Sequence, residues 1–143
     1  VRIITLVIAI LLGACQTSPT TESKQNQLVQ TYIKLSQAYL AQNRNNLALE
    51  RASRALAIEP DNAEVNYTYA LALQRNKLYA PADKYFIKAM SFKNYPVAKN
   101  AYAVNQCLQG NVSKARKLFV ELARDDNYST PKIARENLKR CYG

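Results

Sequence analysis

Polar and apolar positions alternate along this chain in two distinct ways. Residues 1 to 14, "VRIITLVIAILLGA", form the one long apolar run, with a single charge at Arg2. From residue 29 onward the apolar positions instead recur at a helical period, broken at short intervals by "NRNN", "RNK" and "QGN". Apolar residues at that spacing predict amphipathic helices, and the polar breaks predict the turns between them. Between these regions, "QTSPTTESKQNQ" (residues 16 to 27) is polar and rich in Ser and Thr, with no apolar face. It reads as a flexible tether, so residues 15 to 28 are expected to be an N-terminal linker.

The helical region repeats itself. Ser36, Ala48 and Ala55 return 34 residues later as Ala70, Ala82 and Ala89, while Ala52 returns as Phe86. After a slip of one residue, Tyr69-Ala70, Ala82 and Phe86 are echoed by Tyr102-Ala103, Ala115 and Phe119. Two antiparallel helices pack closely only where their contact residues are small, and large residues then fill the gaps between successive pairs. Each unit is therefore a helix, a turn and a second helix. The units run over about 29 to 62, 63 to 95 and 96 to 130, with a partial fourth at 131 to 143.

In the first unit Tyr32, Leu35, Ser36, Tyr39, Ala48, Ala52, Ala55 and Pro60 resemble, place for place, the tetratricopeptide repeat. Pro60 stops the second helix because it lacks an amide hydrogen and disfavours helix in the residue before it. The expected fold is all-α, a right-handed superhelix of about three repeats plus a terminal helix. An unrelated helical bundle is the competing fold.

The apolar run is too short for the ~20 residues that a spanning helix needs, but it suits an export signal with a basic start and an apolar middle. Leu12-Gly13-Ala14-Cys15 resembles a bacterial lipobox. That resemblance implies removal of residues 1 to 14, lipidation of Cys15, and attachment to a membrane through the lipid alone; an ordinary signal peptide is the alternative. Three acyl chains at about 0.8 kcal/mol per buried methylene make such an anchor essentially permanent. Gln16 after the cysteine resembles the pattern sorted to the outer membrane in enteric-type bacteria.

Cys107 and Cys141 lie one repeat length apart, each late in the first helix of its unit. First helices of neighbouring units stack side by side, and an exported protein meets an oxidising compartment, so the pair is expected to form a disulfide. Two buried free thiols are the other possibility. A metal site is not expected, since the sequence has no His and no third nearby Cys.

Lys and Arg number 20 against 10 Asp and Glu, a formal charge of +10. The basic residues fall mainly on second helices, turns and the terminus, where they read as solvated surface. Nucleic acid is a poor match for an exported lipoprotein. Catalysis has little to stand on. Asp83, Glu121, Asp125 and Asp126 make no constellation with a base or nucleophile, and no glycine-rich phosphate loop is present. The expectation is a non-enzyme with no cofactor and no small-molecule substrate.

By repeat register, the concave surface is expected to carry Gln30, Ile33, Gln37 and Leu40, then Tyr67, Leu71 and Gln74, then Ala101, Val104 and Cys107. Such a surface would hold an extended or helical peptide by apolar anchors, with Gln37 and Gln74 bonding its backbone. Repeat domains that clamp acidic chaperone tails use Lys and Asn at matching places. Here those places hold Ile33, Gln37, Thr68, Val97 and Tyr102, which argues against that partner.

Asn100-Ala101-Tyr102-Ala103, Cys107, Tyr128-Ser129-Thr130-Pro131 and Asn137-Leu138-Lys139-Arg140-Cys141 together resemble motifs of the pilotin lipoproteins of type IV pili, the PilW/PilF family. The resemblance implies a right-handed superhelix of about six repeats that brings the secretin to the outer membrane and assists its multimerisation. Two family glycines are replaced, by Ala103 and Lys139. The alternative implied by the same anchor and fold is a general periplasmic scaffold for cell-wall enzymes or outer-membrane protein assembly.

Overall fold

The computed structural model describes residues 21–92 and 95–142, without the side chain of Tyr142. Among the described residues seven helices follow one another: α1 (Thr21–Ala41), α2 (Asn45–Ile58), α3 (Ala63–Arg75), α4 (Tyr79–Ser91), α5 (Pro96–Leu108), α6 (Val112–Arg124) and α7 (Pro131–Tyr142). Among the described residues there is no strand. Cys15 and the segment before it lie outside the described residues.

The turns inside the helix pairs share one backbone geometry. Asn43, Lys77 and Gly110 each adopt positive φ, at 57°, 62° and 81°. Beside each, an amide reaches back five residues: Arg44 N–H to Tyr39 O, Leu78 to Leu73 and Asn111 to Gln106, at 2.9, 3.0 and 2.9 Å. A left-handed residue after the last helical turn lets those amides satisfy carbonyls that the helix end would leave unbonded. Only Gly110 adopts it without side-chain strain.

Small residues hold the helices together. Ala48, Ala52 and Ala55 on α2, and Ala82 and Ala89 on α4, are fully buried, as is Ser36 on α1. The Ser36 hydroxyl donates to Ala48 O at 2.9 Å, so even its polar group serves the α1–α2 contact. Phe86 on α4 and Phe119 on α6 fill the spaces between pairs and are completely shielded. Burial of a side chain of that size contributes about 1.5–3 kcal/mol.

Each helix packs on the next, and the odd-numbered helices also touch one another: α1 with α3, α3 with α5, α5 with α7. The even helices α2, α4 and α6 make no such mutual contact. The stack is therefore tight on the odd side and splayed on the even side, with α1, α3, α5 and α7 forming its inner layer. Turn chemistry sets the spacing of the pairs. Asn62 caps α3, its side-chain oxygen accepting from the amides of Glu64 and Val65 at 2.9 and 3.2 Å. Asn66 is fully buried and donates to Pro60 O and Asn62 O, both at 2.7 Å, which fixes the bend where Pro60 ends α2.

Residues 21–28, expected to belong to the tether, are helical, since α1 already starts at Thr21. Residues 21–28 are almost wholly exposed and gain nothing from burial. They extend the helix because nucleation has already occurred on the packed part, and Glu, Lys and Gln add turns at little cost.

Candidate docking site on the inner helix layer

The ten positions expected to line the groove divide into buried, half-buried and exposed groups. Ile33 and Leu40 do not line it: they are 1% and 8% exposed, in clusters with Val29, Ala55 and Val65, and with Ala48, Ala52 and Ala72. Seven residues apart, they lie on one stripe of α1, and stacking of α1 on α2 and α3 closes that stripe. Ala101 is buried likewise. Gln74 is also inside, its amide donating to Asn105 Oδ1 at 3.2 Å and Ala101 O at 3.4 Å, so it is not available to bond a peptide backbone. Leu71, Val104 and Cys107 are half-buried, the last two packed against the cluster that α7 completes.

Tyr67 is half-buried against the core as well, and only Gln30 and Gln37 of the ten remain exposed. Gln30 Nε2 donates to Glu64 Oε2 at 3.3 Å, joining α1 to α3 along the inner layer. Farther along, Asn137 Nδ2 donates to Asn100 Oδ1 at 3.3 Å and joins α7 to α5.

Tyr67 leads to a feature that the sequence did not reveal. Its ring meets Tyr95 nearly edge to face, 5.6 Å between centroids at 74°, and leans on buried Phe86 at 6.4 Å. Tyr95 precedes α5 and, with Met90, Phe92, Pro96, Lys99, Asp125 and Asn127, lines an open depression of about 640 Å³. Its walls come from the α4–α5 and α6–α7 connections, more than 25 residues apart in sequence. Lys99 is engaged there by Glu121, Nζ to Oε2 at 2.6 Å. That hydrogen bond, outweighing desolvation, holds the Glu121 carboxyl below its ordinary pKa.

Burial, reinforced by the negative charge of Glu64 and by Tyr67, pushes the Tyr95 phenol up to about 12. A phenol with a raised folded-state pKa favours folding in its neutral form. Its contribution is complete below the unfolded value near 10 and is lost as pH rises through 10 toward 12. Burial raises the Tyr67 and Tyr69 phenols too, so absorbance titration of tyrosinate should show several late phenols, the latest of which disappears from the curve of Tyr95→Phe. If the two proteins titrate identically, Tyr95 is not in this environment.

A second unpredicted element joins α4 to α5. Asp83 Oδ1 accepts from Asn105 Nδ2 and Gln106 Nε2, each at 2.7 Å, and Gln109 Nε2 reaches both carboxylate oxygens at 3.1 Å. Asn105 Nδ2 also donates to Tyr79 O at 2.8 Å, and Asn111 Nδ2 to Gln106 Oε1 at 3.1 Å. Asn105 and Gln106 are 0% and 1% exposed, so these bonds satisfy groups that water does not reach. One unit earlier, the corresponding residues are Leu49, Ala72 and Leu73, and the contact there is apolar.

Cys107 and Cys141 are joined as a disulfide, with Cα atoms 5.7 Å apart. The bridge fastens α7 to α5, and Ala134 and Leu138 of α7 enter the same cluster as Phe119 and Leu122. Among the described residues, no three His, Cys, Asp or Glu side chains gather to hold a metal ion, and no helix is long and apolar enough to cross a membrane.

No protein-family model matches this chain, and no curated protein matches it.

Proposed function

We propose that this protein is a lipid-anchored docking scaffold built from tetratricopeptide repeats, and that it serves as the pilotin of a type IV pilus secretin. The observation that carries the docking part is the depression lined by Tyr95, whose ring meets Tyr67, between the α4–α5 and α6–α7 connections, which leaves large side chains half-exposed on a disulfide-fastened frame. Stacked hairpins with that kind of face bind extended segments by anchors and amide bonds. The three left-handed turns and the buried small residues support the tetratricopeptide assignment.

The pilotin part rests on the resemblance of the motifs around Tyr102, Cys107, Pro131 and Cys141, with Cys15 as the lipidated residue and the outer membrane, periplasmic side, as the location. The altered glycines are compatible with the fold. Ala103 is fully buried beside Phe119, where its methyl is accommodated, and Lys139 is exposed. The same two replacements favour the second reading, a scaffold for cell-wall enzymes or outer-membrane assembly factors.

Deletion of the gene separates the two. Loss of heat-resistant secretin multimers together with piliation is expected for a pilotin; unchanged multimers and normal pili would leave only the general scaffold. Replacing Cys15 by Ala should move the protein out of the membrane fraction if the anchor is its lipid.

A further inference from the structure

We infer that the rim of the stack formed by the turns inside the helix pairs docks an extended acidic peptide segment, whose carboxylates meet Arg44, Arg75 and Lys77. The depression at Tyr95 lies on the opposite rim, so this surface is separate from it. The lipid anchor proposed above enters at one point alone, the exclusion of a membrane.

Charge divides between the two ends of the helices. The turns inside the pairs, residues 42–46, 75–79 and 109–114, carry Arg44, Arg75, Lys77 and Lys114 and no Asp or Glu. The described connections between pairs carry Glu59, Asp61, Asp125 and Asp126. The disulfide holds the C-terminal end of α7 beside that of α5, which brings Lys139 and Arg140 to the basic rim as well. The acids that come nearest this rim are already engaged: Asp83 by Asn105, Gln106 and Gln109, and Glu50 by Arg51 and Arg54. Arg44, Arg75 and Lys77 are exposed, and no ion pair among the described residues engages them. Arg44 lies over the Tyr39 ring at 5.1 Å, a contact that uses the guanidinium face and leaves its edge donors for a carboxylate.

The turns are bonded side by side. Asn45 Nδ2 donates to Arg75 O at 3.0 Å and Asn76 Nδ2 to Asn45 O at 2.9 Å, so the first turn rests on the second. Asn105 Nδ2 donates to Tyr79 O and links α5 to the end of the second turn. Asn43, Arg44, Asn46 and Asn76 line an open depression of about 330 Å³ between the first two turns. Asn43 and Asn46 are exposed there, which sets amides that bond a peptide backbone beside a guanidinium that bonds a carboxylate. Packed helices lie about 8–10 Å apart, a distance that about three residues of extended chain span. The odd helices touch one another, so carboxylates at every third residue suit the row of turns.

A membrane does not fit this rim. Six chain steps separate Cys15 from Thr21, at most about 22 Å. From Thr21, α1 runs 21 residues, about 31 Å, to the basic rim. A bilayer that holds Cys15 is therefore at the other end of α1, and the rim faces away from it.

The net charge of +10 attracts any anion, so a charge-matched control decides whether the rim is the site. The purified full chain in mild detergent is titrated by fluorescence anisotropy with end-blocked peptides of Ser and Ala that carry an uncharged dye and Glu, Gln or Lys at every third position. The Glu peptide should bind about tenfold more tightly than the Gln peptide, and the Lys peptide most weakly, with the difference shrinking as salt rises from about 0.05 M to about 0.5 M. Arg44→Gln with Arg75→Gln and Lys77→Gln should abolish the preference. Lys24→Gln with Arg124→Gln and Lys132→Gln removes the same charge from the opposite rim and should leave most of it. All six side chains are exposed, so both variants keep the fold, which circular dichroism checks.

Equal loss in the two variants would overturn the rim in favour of net charge alone. Gln peptide binding as tightly as Glu peptide would overturn the acidic selection, and the secretin-multimer experiment would still judge the docking reading on its own. Two further outcomes would replace the peptide by another partner. Sedimentation of the Cys15→Ala protein with phosphatidylglycerol vesicles through the same three residues would mean a lipid surface, and salt-sensitive self-association lost in the rim variant would mean a second copy.

Discussion

Replacing both Cys107 and Cys141 by Ser is expected to lower the stability of the protein by about 4 kcal/mol, less any strain relieved in the folded state. The bridge closes a loop of 34 residues, and cross-linking removes the corresponding freedom from the unfolded chain. Few contacts compensate at the point of attachment. Much of the surface of α7 is charged, with Lys132, Arg135, Glu136, Lys139 and Arg140 all exposed, and its buried contribution comes chiefly from Ala134 and Leu138. Loss of the bridge should therefore free α7 before the rest of the stack melts. Amide hydrogen exchange would show it as protection lost over 131–142 with protection over α2 to α4 retained. A double variant that melts within about 1 kcal/mol of the parent would mean that the apolar contacts alone hold α7.

The second large effect belongs to Asp83. Asp83→Ala removes the acceptor for Gln106 Nε2 and one of the two acceptors for Asn105 Nδ2, both buried. Hydrogen bonds to a charged group are worth about 1.5–3 kcal/mol each and a stranded buried donor costs about 1–3 kcal/mol, so a loss of roughly 3 kcal/mol is expected after partial rescue by water. Asp83→Asn should fall between, since it keeps an acceptor but sets an amide against other amides. Removing the whole network is a different matter. Asp83→Leu with Asn105→Ala and Gln106→Leu copies Leu49, Ala72 and Leu73 of the preceding boundary, and should recover part of the loss because the two buried donors that Asp83 answers go with it; Gln74 keeps Ala101 O, while Tyr79 O, Gln109 and Asn111 give up their bonds to the replaced side chains. Urea denaturation of the three proteins would decide it. If the single and triple variants are equally unstable, packing volume and not polar satisfaction sets the cost.

Helix pairs and their turns were legible because they repeat. The return of Ala and Ser every 33 or 34 residues has one cheap structural explanation, and the breaks at Asn43, Lys77 and Gly110 fall where the backbone turns left-handed. The cysteine spacing was legible for the same reason, since one repeat length places two first helices side by side. Position within a repeat was a poorer guide to exposure. Ile33 and Leu40 sit at groove register but face neighbouring helices, because the tilt between helices decides how much of each stripe is covered, and register carries no information about tilt. The depression around Tyr95 was hidden because two separate connections build it. Asp83 was hidden more thoroughly: a single acid on a helix reads as solvated, and its amide partners lie 22 to 26 residues away. The helical start at Thr21 escaped notice because its composition also suits a linker.

The carboxylate at Asp83 makes the hairpins non-interchangeable. A stack joined only by alanines and leucines tolerates shuffling: any unit can be excised, duplicated or set beside another, since oil fits oil. Here the second hairpin offers an acid and the third offers the amides that answer it, whereas the first offers leucine. A chain with its second unit deleted would set Leu49 against Asn105 and Gln106 and leave them unanswered, and one with its second unit doubled would set Asp83 against Ala72 and Leu73. The order of the hairpins is thus written into their joints, and unequal recombination between similar units would be penalised at the first mismatched pair.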